Sequence, residues 1–365
     1  MILLFLTSTA LIAYVYVGYP LLLAAWARIA PRPPKKCHFA PGAWPAISII
    51  VAARNEAARL PGRIENLLAL PYEGRREIIV ISDGSTDGTA AALAPYVDRG
   101  EVRLLEVPAG GKPLALNAGV ASARGDILVF ADARQRFNRL ALVSLVSNFG
   151  DPEVGGATGE LVLDCESAPS SSSVGEGVGA YWKYEKWLRR HESVIRSTLG
   201  ATGAIYALRR PLWRPLPAET LLDDVLAPMR VVLGGWRMVF DEEAVAADRV
   251  AQDGAAEARR KRRTLAGNYQ ILAQEPRLLL PFANPVWLQY LSHKVGRLIV
   301  PWALIGALAS SAVLAAEHWF FGLALAAQAA FYALAGLGAW LEARDRTGGE
   351  RFSRELPVAL GKQAR

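Results

Sequence analysis

A glycine pair precedes Lys112 at the start of a predicted helix, in the segment "GGKPLALNAG". Free N–H groups at a helix N-terminus, the helix dipole and an ammonium together suit a phosphate group. The segment is not a Walker A loop, because Pro113 stands where that loop needs Ser or Thr after the lysine. These residues therefore predict a phosphate site of another kind.

Polar side chains also follow three short apolar runs, at the points where the runs end. Glu56 comes shortly after "AISIIVAA", Asp83 closes "EIIVISD" and Asp132 closes "DILVFAD". Each alone fits ordinary turn chemistry, and "SDGSTDGT" fits a type I turn that leads into a helix. Acidic residues at the ends of three predicted strands indicate that these residues belong to one common site.

The elements that must position these residues alternate along the chain from Pro45 onward. The predicted strands are "AISIIVAA", "EIIVISD", "VRLLEV" and "DILVFAD", and the helices between them are "ARLPGRIENLLAL", "TDGTAAALAPYV" and "KPLALNAGVASA". Continuous apolar strands that alternate with helices predict an α/β domain with a mostly parallel sheet covered on both faces. Ligands of such sheets bind at the carboxyl ends of the strands.

The chain is too apolar for an ordinary soluble enzyme, with 52% hydrophobic residues and a mean hydropathy of +0.19. Residues 2–26 form an uncharged run long enough to cross a bilayer, and no basic residue precedes them, which favours an uncleaved anchor over a signal peptide. Basic residues follow and mark the cytoplasmic side. We therefore expect an anchor at residues 1–27 with its N-terminus outside, a proline-rich linker at 28–44, and a cytoplasmic domain after it.

Two further apolar runs, at about residues 298–316 and 319–341, predict a transmembrane hairpin. The tail at 342–365 is rich in arginine, which places the C-terminus in the cytoplasm and the protein in the inner membrane. Residues 271–297 mix aromatic, basic and apolar side chains, and they fit either an interfacial amphipathic segment or a plain core helix. Three spans without an internal repeat argue against a transporter or channel.

Two other classes of protein are disfavoured by charge and by residue spacing. The net charge is +7, but the basic residues cluster beside the predicted spans and no nucleic-acid module is present, so we expect no nucleic-acid partner. Cys37 and Cys165 lie outside any C-x-x-C pattern, and the histidines form no i, i+4 pair. Neither a disulfide framework nor a zinc site is predicted.

Six short motifs in order resemble those of the family 2 glycosyltransferases, whose catalytic domain has the GT-A fold. The motifs are "ARNE", "VISDGSTDGT", "GKPLALNAG", "LVFADAR", "LLDDVLAPMRVVLGGWR" and "RRKRRT". Together with the spans, they resemble the membrane-bound branch that includes cellulose, poly-N-acetylglucosamine and hyaluronan synthases. The resemblance implies a Rossmann-like GT-A catalytic domain, which we place at residues 45–270.

The resemblance implies a nucleotide-sugar donor, with UDP as the expected nucleotide. Asp83 matches the family residue that contacts the uracil, and Lys112 matches the lysine near the diphosphate. The other donor-site residues implied by these motifs are Ala53, Arg54 and Glu56 at the "AARNE" strand end and Asn117 in "GKPLALNAG".

Asp132 matches the first carboxylate of the D-x-D element, which in the family holds a divalent cation against the donor phosphates. A hard cation such as Mg²⁺ or Mn²⁺ prefers oxygen ligands of this type. The second carboxylate position is Arg134 in this sequence. Either the cation is held by Asp132 and the diphosphate, or Arg134 partly substitutes for its charge.

Asp223 and Asp224 fall where the family carries its catalytic acidic pair, and the resemblance makes Asp224 the general base. Inverting transfer needs a carboxylate that removes the proton of the acceptor hydroxyl as its oxygen attacks the anomeric carbon and the nucleoside diphosphate leaves. From the residues alone, either aspartate also fits an N-terminal helix cap.

Arg260 and Arg263 lie where processive members carry a Q-x-x-R-W element. The match is partial, because Thr264 stands at the tryptophan position and no glutamine precedes it. Arginines there can stabilise the diphosphate leaving group, or they can form a basic face against anionic lipid headgroups. Both roles are compatible.

The sequence thus predicts a membrane-bound inverting glycosyltransferase that extends a polysaccharide. Its expected partners are a nucleotide-sugar donor, a glycan or lipid-linked acceptor, membrane lipid, and a partner or oligomer for export. Transfer of a single sugar to a lipid-linked acceptor is the alternative, because the tryptophan is missing and three spans form no obvious pore. A non-catalytic membrane scaffold is the third, because the D-x-D element lacks its second carboxylate.

Overall fold

The structure is a computed structural model that describes residues 1–164, 173–249 and 254–360. It divides into two compact units, one formed by Met1–Val17 with Gly296–Arg365 and the other by Gly18–Val295. Cys165 lies outside the described residues, whereas Cys37 is an exposed free cysteine. The acidic and basic residues predicted to do chemistry all belong to the larger unit.

Helices account for the spans and for the two outer layers of the larger unit. In chain order they are α1 (Ile2–Ala13), α2 (Tyr19–Ile29), α3 (Leu60–Leu68), α4 (Thr89–Asp98), α5 (Lys112–Ser122), α6 (Ala141–Ser147), α7 (Ser173–Ile195), α8 (Asp223–Leu233), α9 (Gly254–Gln274), α10 (Trp287–Gln289), α11 (Gly296–Leu314) and α12 (Trp319–Leu360). Two π-helical segments, Tyr14–Gly18 and Tyr290–Val295, follow α1 and α10.

The described strands of the larger unit form one mixed sheet. They are β1 (Ile47–Ala53), β2 (Arg76–Asp83), β3 (Arg103–Val107), β4 (Ile127–Asp132), β5 (Arg136–Phe137), β6 (Val154–Asp164), β7 (Ile205–Arg209) and β8 (Arg237–Arg249). Their order is β3-β2-β1-β4-β7-β6-β8-β5. The first four strands pair in parallel, as their apolar runs predicted, and the α/β class is confirmed.

Antiparallel pairing enters at β7, which lies between β4 and β6 and runs opposite to both. β6 and β8 then pair in parallel, with two irregularities in register. The sequence reading did not predict this half of the sheet. β8 carries "DEEAVAADR", in which charged residues interrupt the apolar pattern that identified the first four strands.

The sheet is covered on both faces because side chains alternate along each strand. Ile49 and Val51 of β1 point to a core shared with α3, α4 and α6, whereas Ile50 points to a core shared with α5, α8 and α9. All three side chains are fully buried. Burial of each contributes about 1.5–3 kcal/mol relative to exposure, so the alternation fixes which helices lie on which face.

Three described helical stretches are long and apolar enough to cross a membrane: Ile2–Ile29, Trp287–Leu314 and Trp319–Gly338. They agree with the predicted number of spans. The second begins at Trp287 instead of near Leu298, because the helix that leads into α11 starts at α10. In the smaller unit, the ring of Phe5 on α1 lies edge-on to Phe321 on α12 at 5.1 Å between ring centroids.

Three segments differ in extent from the sequence reading. The predicted linker 28–44 lies along the larger unit, where Lys36 Nζ contacts Asp241 at 3.0 Å and Glu243 at 2.8 Å. Residues 271–297 are not one helix: α9 ends at Gln274 and a 3₁₀ turn, Pro276–Leu279, follows. The tail continues α12 to Leu360, because charged residues such as Glu and Arg are good helix formers.

Candidate active site

Lys112 is the centre of a charged cluster at the carboxyl ends of the parallel strands. It begins α5, and its Nζ lies 2.9 Å from Oδ1 of Asp132, the last residue of β4. The same Nζ lies 3.3 Å from Oδ2 of Asp223, the first residue of α8. Three elements distant in sequence thus bring one ammonium and several carboxylates together.

The carboxylates hold the charge on Lys112 firmly. Burial lowers the pKa of the Lys112 ammonium, but the negative charges of Asp132, Asp223 and Asp224 outweigh it and hold the pKa above its usual range. Lys112 keeps about a third of its side chain exposed, at 36%. The ammonium is therefore charged at every physiological pH and remains accessible to an anionic ligand.

Asp224 follows Asp223 in the first turn of α8 and accepts hydrogen bonds from two backbone N–H groups. Its Oδ2 accepts a hydrogen bond from the Gly203 N–H at 3.0 Å, and its carbonyl accepts one from the Ala201 N–H at 2.7 Å. The cap position of α8 is Leu222, with no side-chain capping bond. Neither aspartate therefore acts as the helix cap that its residue type would also fit.

Burial and the charge of Asp223 raise the pKa of the Asp224 carboxyl to about 6, although Lys112 and the Gly203 N–H act in the opposite direction. Asp223 is only 5% exposed, whereas Asp224 is partly exposed. A carboxylate that is accessible and ionises just below neutral pH is suited to general-base catalysis. Of the pair, Asp224 is the more accessible carboxyl group.

Gly203 lies where its loop closely approaches this cluster. A Cβ at this position would lie 3.2 Å from Asp224 Oδ2 and 3.4 Å from Lys112 Nζ. We expect Gly203→Ala to lower turnover roughly tenfold, because small displacements of reacting groups are costly. Steady-state kinetics checks this, with Gly336→Ala as control, since Gly336 has open space around it. Equal turnover of Gly203→Ala and wild type would contradict it.

Asp83 anchors the loop that begins α5. It is 4% exposed, and its carboxylate accepts hydrogen bonds from the N–H groups of Gly110 at 2.7 Å and Gly111 at 3.0 Å. Gly84 has φ +58°, and a Cβ there would lie 2.6 Å from Ala109 Cβ. The "DG" pair therefore lets the end of β2 contact the glycine loop and fixes Asp83 next to Lys112.

The residues at the end of β1 lie beside Asp83 at the same edge of the sheet. Ala53 is its last residue and is buried, and Arg54 is exposed with Nη1 4.0 Å from Asp83 Oδ2. Asn55 adopts φ +54° and accepts a hydrogen bond from the Thr86 N–H at 2.8 Å through its Oδ1. Glu56 contacts Arg59 at 2.6 Å. The first two motifs, "ARNE" and "SDGSTDGT", thus meet directly at the site edge.

Four predicted residues lie apart from the carboxylate cluster. Asn117 uses its amide to bind both backbone groups of Leu216, at 2.8 and 2.9 Å. Arg134 is exposed, with Nη2 3.9 Å from Asp248 Oδ2. Arg260 and Arg263 are exposed on α9. α9 reaches the chain just before Asp223, where Gln270 accepts a hydrogen bond from the Leu221 N–H at 2.9 Å.

Asp132 is the one predicted metal ligand, and its surroundings permit a shared cation. No group of three or more His, Cys, Asp or Glu side chains with metal-binding geometry occurs among the described residues. Mg²⁺ and similar cations are often held by one or two carboxylates plus substrate phosphates. Asp132, which Lys112 Nζ contacts at 2.9 Å, would supply the single carboxylate of such an arrangement, and a bound diphosphate would have to supply other oxygen ligands.

Tyr206 lies near the carboxylate cluster and was not predicted from the sequence. It lies on β7 and is 1% exposed, and its ring stacks on Phe130 of β4 at 4.5 Å between centroids. Burial and the nearby charges of Asp223, Asp224 and Asp132 raise its pKa well above the usual range. Its hydroxyl has no hydrogen-bond partner among the described residues. Its strand gives no signal, because "IYALR" is an ordinary buried run.

Residues 48–193 match the family model described as Glycosyl transferase family 2. The matched range begins within β1 and includes β2 to β4 and the residues Asp83, Lys112 and Asp132. Asp223 and Asp224 lie beyond it on the same sheet. Part of the chain therefore matches the family 2 glycosyltransferase domain.

Two curated relatives are named for different products, a polysaccharide and a glycolipid. A poly-beta-1,6-N-acetyl-D-glucosamine synthase of Staphylococcus aureus is 33% identical over 115 residues, which are 31% of this chain and 28% of the relative. A beta-monoglucosyldiacylglycerol synthase of Synechocystis sp. is 27% identical over 217 residues, or 53% of this chain and 42% of the relative. The chain thus matches less than half the length of either relative.

A solved structure shares the fold over nearly the whole chain. It is a mannosyltransferase from Pyrobaculum calidifontis in complex with GDP-Man and Mn²⁺, with a TM-score of 0.68 at 24% identity. The alignment covers 91% of this chain and 92% of the other. The predicted GT-A fold with its apolar terminal helices is confirmed.

Proposed function

We propose that the protein is an inverting glycosyltransferase that moves a sugar from a nucleotide-sugar donor, a UDP sugar, to a growing polysaccharide. One observation carries the proposal: Lys112 Nζ lies 2.9 Å from Asp132 and 3.3 Å from Asp223, next to the accessible carboxylate of Asp224. This arrangement joins a phosphate-binding cation to a general base at the ligand-binding edge of the sheet.

The donor is held by the rim around Asp83. Asp83, Arg54 and Glu56 receive the nucleoside beside the buried end of β1 at Ala53, and Lys112 meets the diphosphate at the N-terminus of α5. Asn117 acts indirectly, since it fixes the loop at Leu216 that leads to Asp223. Arg260 and Arg263 meet the leaving diphosphate or anionic lipid headgroups from α9.

Asp224 removes the proton of the acceptor hydroxyl. The acceptor oxygen forms its bond to the anomeric carbon while the bond from that carbon to the diphosphate breaks, and the nucleoside diphosphate leaves with the bonding electrons. Lys112 stabilises the negative charge that develops on the leaving group. A divalent cation bound at Asp132 would neutralise further phosphate charge, and Arg134 stands at the position where the family has a second carboxylate.

The proposed base makes activity depend on pH. Because the raised pKa of Asp224 is about 6, the carboxyl is protonated below this pH and cannot accept a proton. We expect kcat to rise as pH increases through about 6 and to level off above it. Initial rates at saturating donor, measured from below pH 5 to above pH 7, check this. A profile that stays flat through about pH 6 would count against Asp224.

The three membrane-spanning stretches make this a membrane protein, and the basic flanks support a cytoplasmic catalytic domain. The N-terminus would be outside and the C-terminus in the cytoplasm of the inner membrane. The domain would then receive cytoplasmic donors, while a polymeric product would leave through a partner or an oligomer. Among the described residues near the second span, Phe282 is fully exposed and suits contact with lipid.

Transfer of one sugar to a lipid-linked acceptor is the second candidate. It is favoured by the longer match to the glucosyldiacylglycerol synthase and by Thr264 at the position of the processive tryptophan. Membranes incubated with labelled nucleotide sugars distinguish the two candidates by product size. A ladder or polymer supports polysaccharide extension, whereas a single labelled glycolipid excludes it.

A further inference from the structure

A buried glutamate on α7 lies near the loop that contacts Asp224. Glu192 is 0% exposed, and its Oε1 accepts a hydrogen bond from the Tyr19 hydroxyl at 2.7 Å. The same oxygen lies 2.7 Å from Nδ1 of His293, which is itself buried. Because an ionised carboxylate only accepts hydrogen bonds, this contact assigns the ring proton to Nδ1 and makes His293 the second donor. We call these three side chains the Glu192 cluster.

The two partners of Glu192 come from opposite ends of the sequence of the larger unit, Gly18–Val295. Tyr19 begins α2, directly after the π-helical segment Tyr14–Gly18, and His293 lies inside the second such segment. π-Helical turns are rare and occur frequently at functional sites. The chain therefore enters and leaves this unit within hydrogen-bond distance of one carboxylate.

A cluster of this kind is a poor source of stability but a good source of geometry. A buried carboxylate loses its hydration, and a buried ion pair is often no more stable than packed apolar side chains in its place. Its donors can satisfy it in one arrangement only, and the Gln289 Nε2 adds a hydrogen bond to the Glu192 carbonyl at 3.4 Å. The cluster therefore fixes the C-terminal part of α7 against α2 and the second π-helical segment.

The position of α7 is passed on to the loop at residues 199–203. Just before this loop, the Ser197 hydroxyl accepts a hydrogen bond from the Met238 N–H at 3.1 Å, and the Thr198 N–H donates to the Met238 carbonyl at 2.9 Å. Glu192 and residues 198–201 line a common cavity of about 20 Å³, close to one water molecule in size. Because so little space separates them, a displacement of α7 is transmitted to the loop.

This loop makes two hydrogen bonds to Asp224. The Ala201 N–H donates to the Asp224 carbonyl at 2.7 Å, and the Gly203 N–H donates to its Oδ2 at 3.0 Å. Gly200 has φ +137°, and a Cβ there would lie 3.3 Å from Val225 Cγ2, so the loop lies close against the first turn of α8. The orientation of the Asp224 carboxylate therefore depends on where the loop lies.

We propose that Glu192 is a positioning residue, which through Tyr19 and His293 sets the loop that orients the Asp224 carboxylate. The inference rests on the proposed function, in which Asp224 is the general base. It goes beyond that function because it ties the base to two of the membrane-spanning stretches, which contain Tyr19 and His293. Glu192 itself has no exposed surface with which to contact a substrate.

Hydrogen–deuterium exchange of the full chain in detergent tests the proposal. Glu192→Gln keeps the shape of the side chain and removes its charge. We expect it to speed exchange in residues 199–203 by roughly 2- to 10-fold, the effect of weakening one hydrogen bond, while α3 and α4 exchange as in wild type. Faster exchange in α3 and α4 as well would mean general destabilisation and would overturn the proposal.

Tyr19→Phe is a milder variant that keeps the test decisive if Glu192→Gln does not fold. It removes one donor and keeps the ring, so exchange in residues 199–203 should be faster than in wild type but slower than in Glu192→Gln. Tyr96→Phe is the matched control. Tyr96 is also buried and donates to a helix glutamate, Glu65 on α3, at 3.2 Å. Its substitution should leave exchange in residues 199–203 as in wild type.

The pH profile of kcat distinguishes positioning from loss of folded protein. The Gly203 N–H lowers the pKa of the Asp224 carboxyl, because its hydrogen bond favours the charged form. A displaced loop weakens this bond, so in Glu192→Gln and Tyr19→Phe the rising limb of the profile should move to higher pH. Loss of folded protein lowers the rate without moving the limb. Wild-type exchange in residues 199–203 of both variants, or faster loop exchange with an unmoved limb, overturns the proposal.

The results for Asp224→Asn and Glu192→Gln are independent. If Asp224→Asn keeps wild-type turnover, the proposed base is wrong, and loop exchange alone then decides whether Glu192 sets the loop. If Asp224→Asn is inactive but loop exchange does not respond to Glu192→Gln or Tyr19→Phe, the base stands and the positioning role of Glu192 is wrong.

Discussion

Asp224→Asn is expected to lower kcat by about 10² to 10⁴, the usual contribution of a general base. The amide has nearly the same shape and its oxygen can still accept the Gly203 hydrogen bond, but it cannot take the acceptor proton. Donor KM should change little, because the proposed contact with the donor phosphates is made by Lys112 and not by Asp224. Steady-state kinetics on purified full chain with the preferred donor measures both quantities.

Asp98→Asn is the matched control for this substitution. Asp98 is exposed at the end of α4, so the same chemical change there should leave kcat as in wild type. If Asp224→Asn keeps wild-type turnover, Asp224 is not the base. If it abolishes donor binding as well, its effect is on the structure of the cluster and the assigned role is wrong.

Lys112→Met is expected to lower kcat/KM for the donor by about 10² to 10³, comparable to removal of one oxyanion donor. The substitution removes the positive charge that Asp132, Asp223 and Asp224 share, so these carboxylates repel one another and the donor diphosphate. The Tm should also fall. Kinetics and thermal unfolding on the same preparation measure the two effects.

Lys112→Arg separates charge from geometry. It restores the cation and should recover the Tm largely, but kcat/KM only in part, because a planar guanidinium does not occupy the position of a compact ammonium. Full donor affinity in Lys112→Met, assayed below its Tm, would contradict a phosphate-binding role for this lysine.

The first half of the fold was predictable because its signals are local. β1 to β4 are continuous apolar runs of strand length, and α3 to α5 have helical periodicity between polar turns. The second half depends on pairing between distant residues, such as β7 inserted antiparallel between β4 and β6. No local sequence pattern encodes that strand order. β8 was not predicted to be a strand at all, because charged residues interrupt its apolar pattern.

The candidate site could be predicted where it is identified by residue type. Asp83, Lys112, Asp132 and the Asp223–Asp224 pair are identified by charge and motif, and the fold brings Lys112, Asp132 and the pair within reach of one another. Gly203 and Tyr206, which lie beside the cluster, were not predicted, because one is notable for lacking a side chain and the other for its burial. Both properties depend on what surrounds the residue in space.

The central claim is sugar transfer from a nucleotide sugar by this chain, and a donor screen tests it most directly. Membranes containing wild type or Asp224→Asn are incubated with a panel of labelled nucleotide sugars, each with and without Mg²⁺ or Mn²⁺. Wild type is expected to consume one donor, release its nucleoside diphosphate and incorporate the sugar, while Asp224→Asn is not. Consumption of no donor by wild type, or equal incorporation by both proteins, would contradict it.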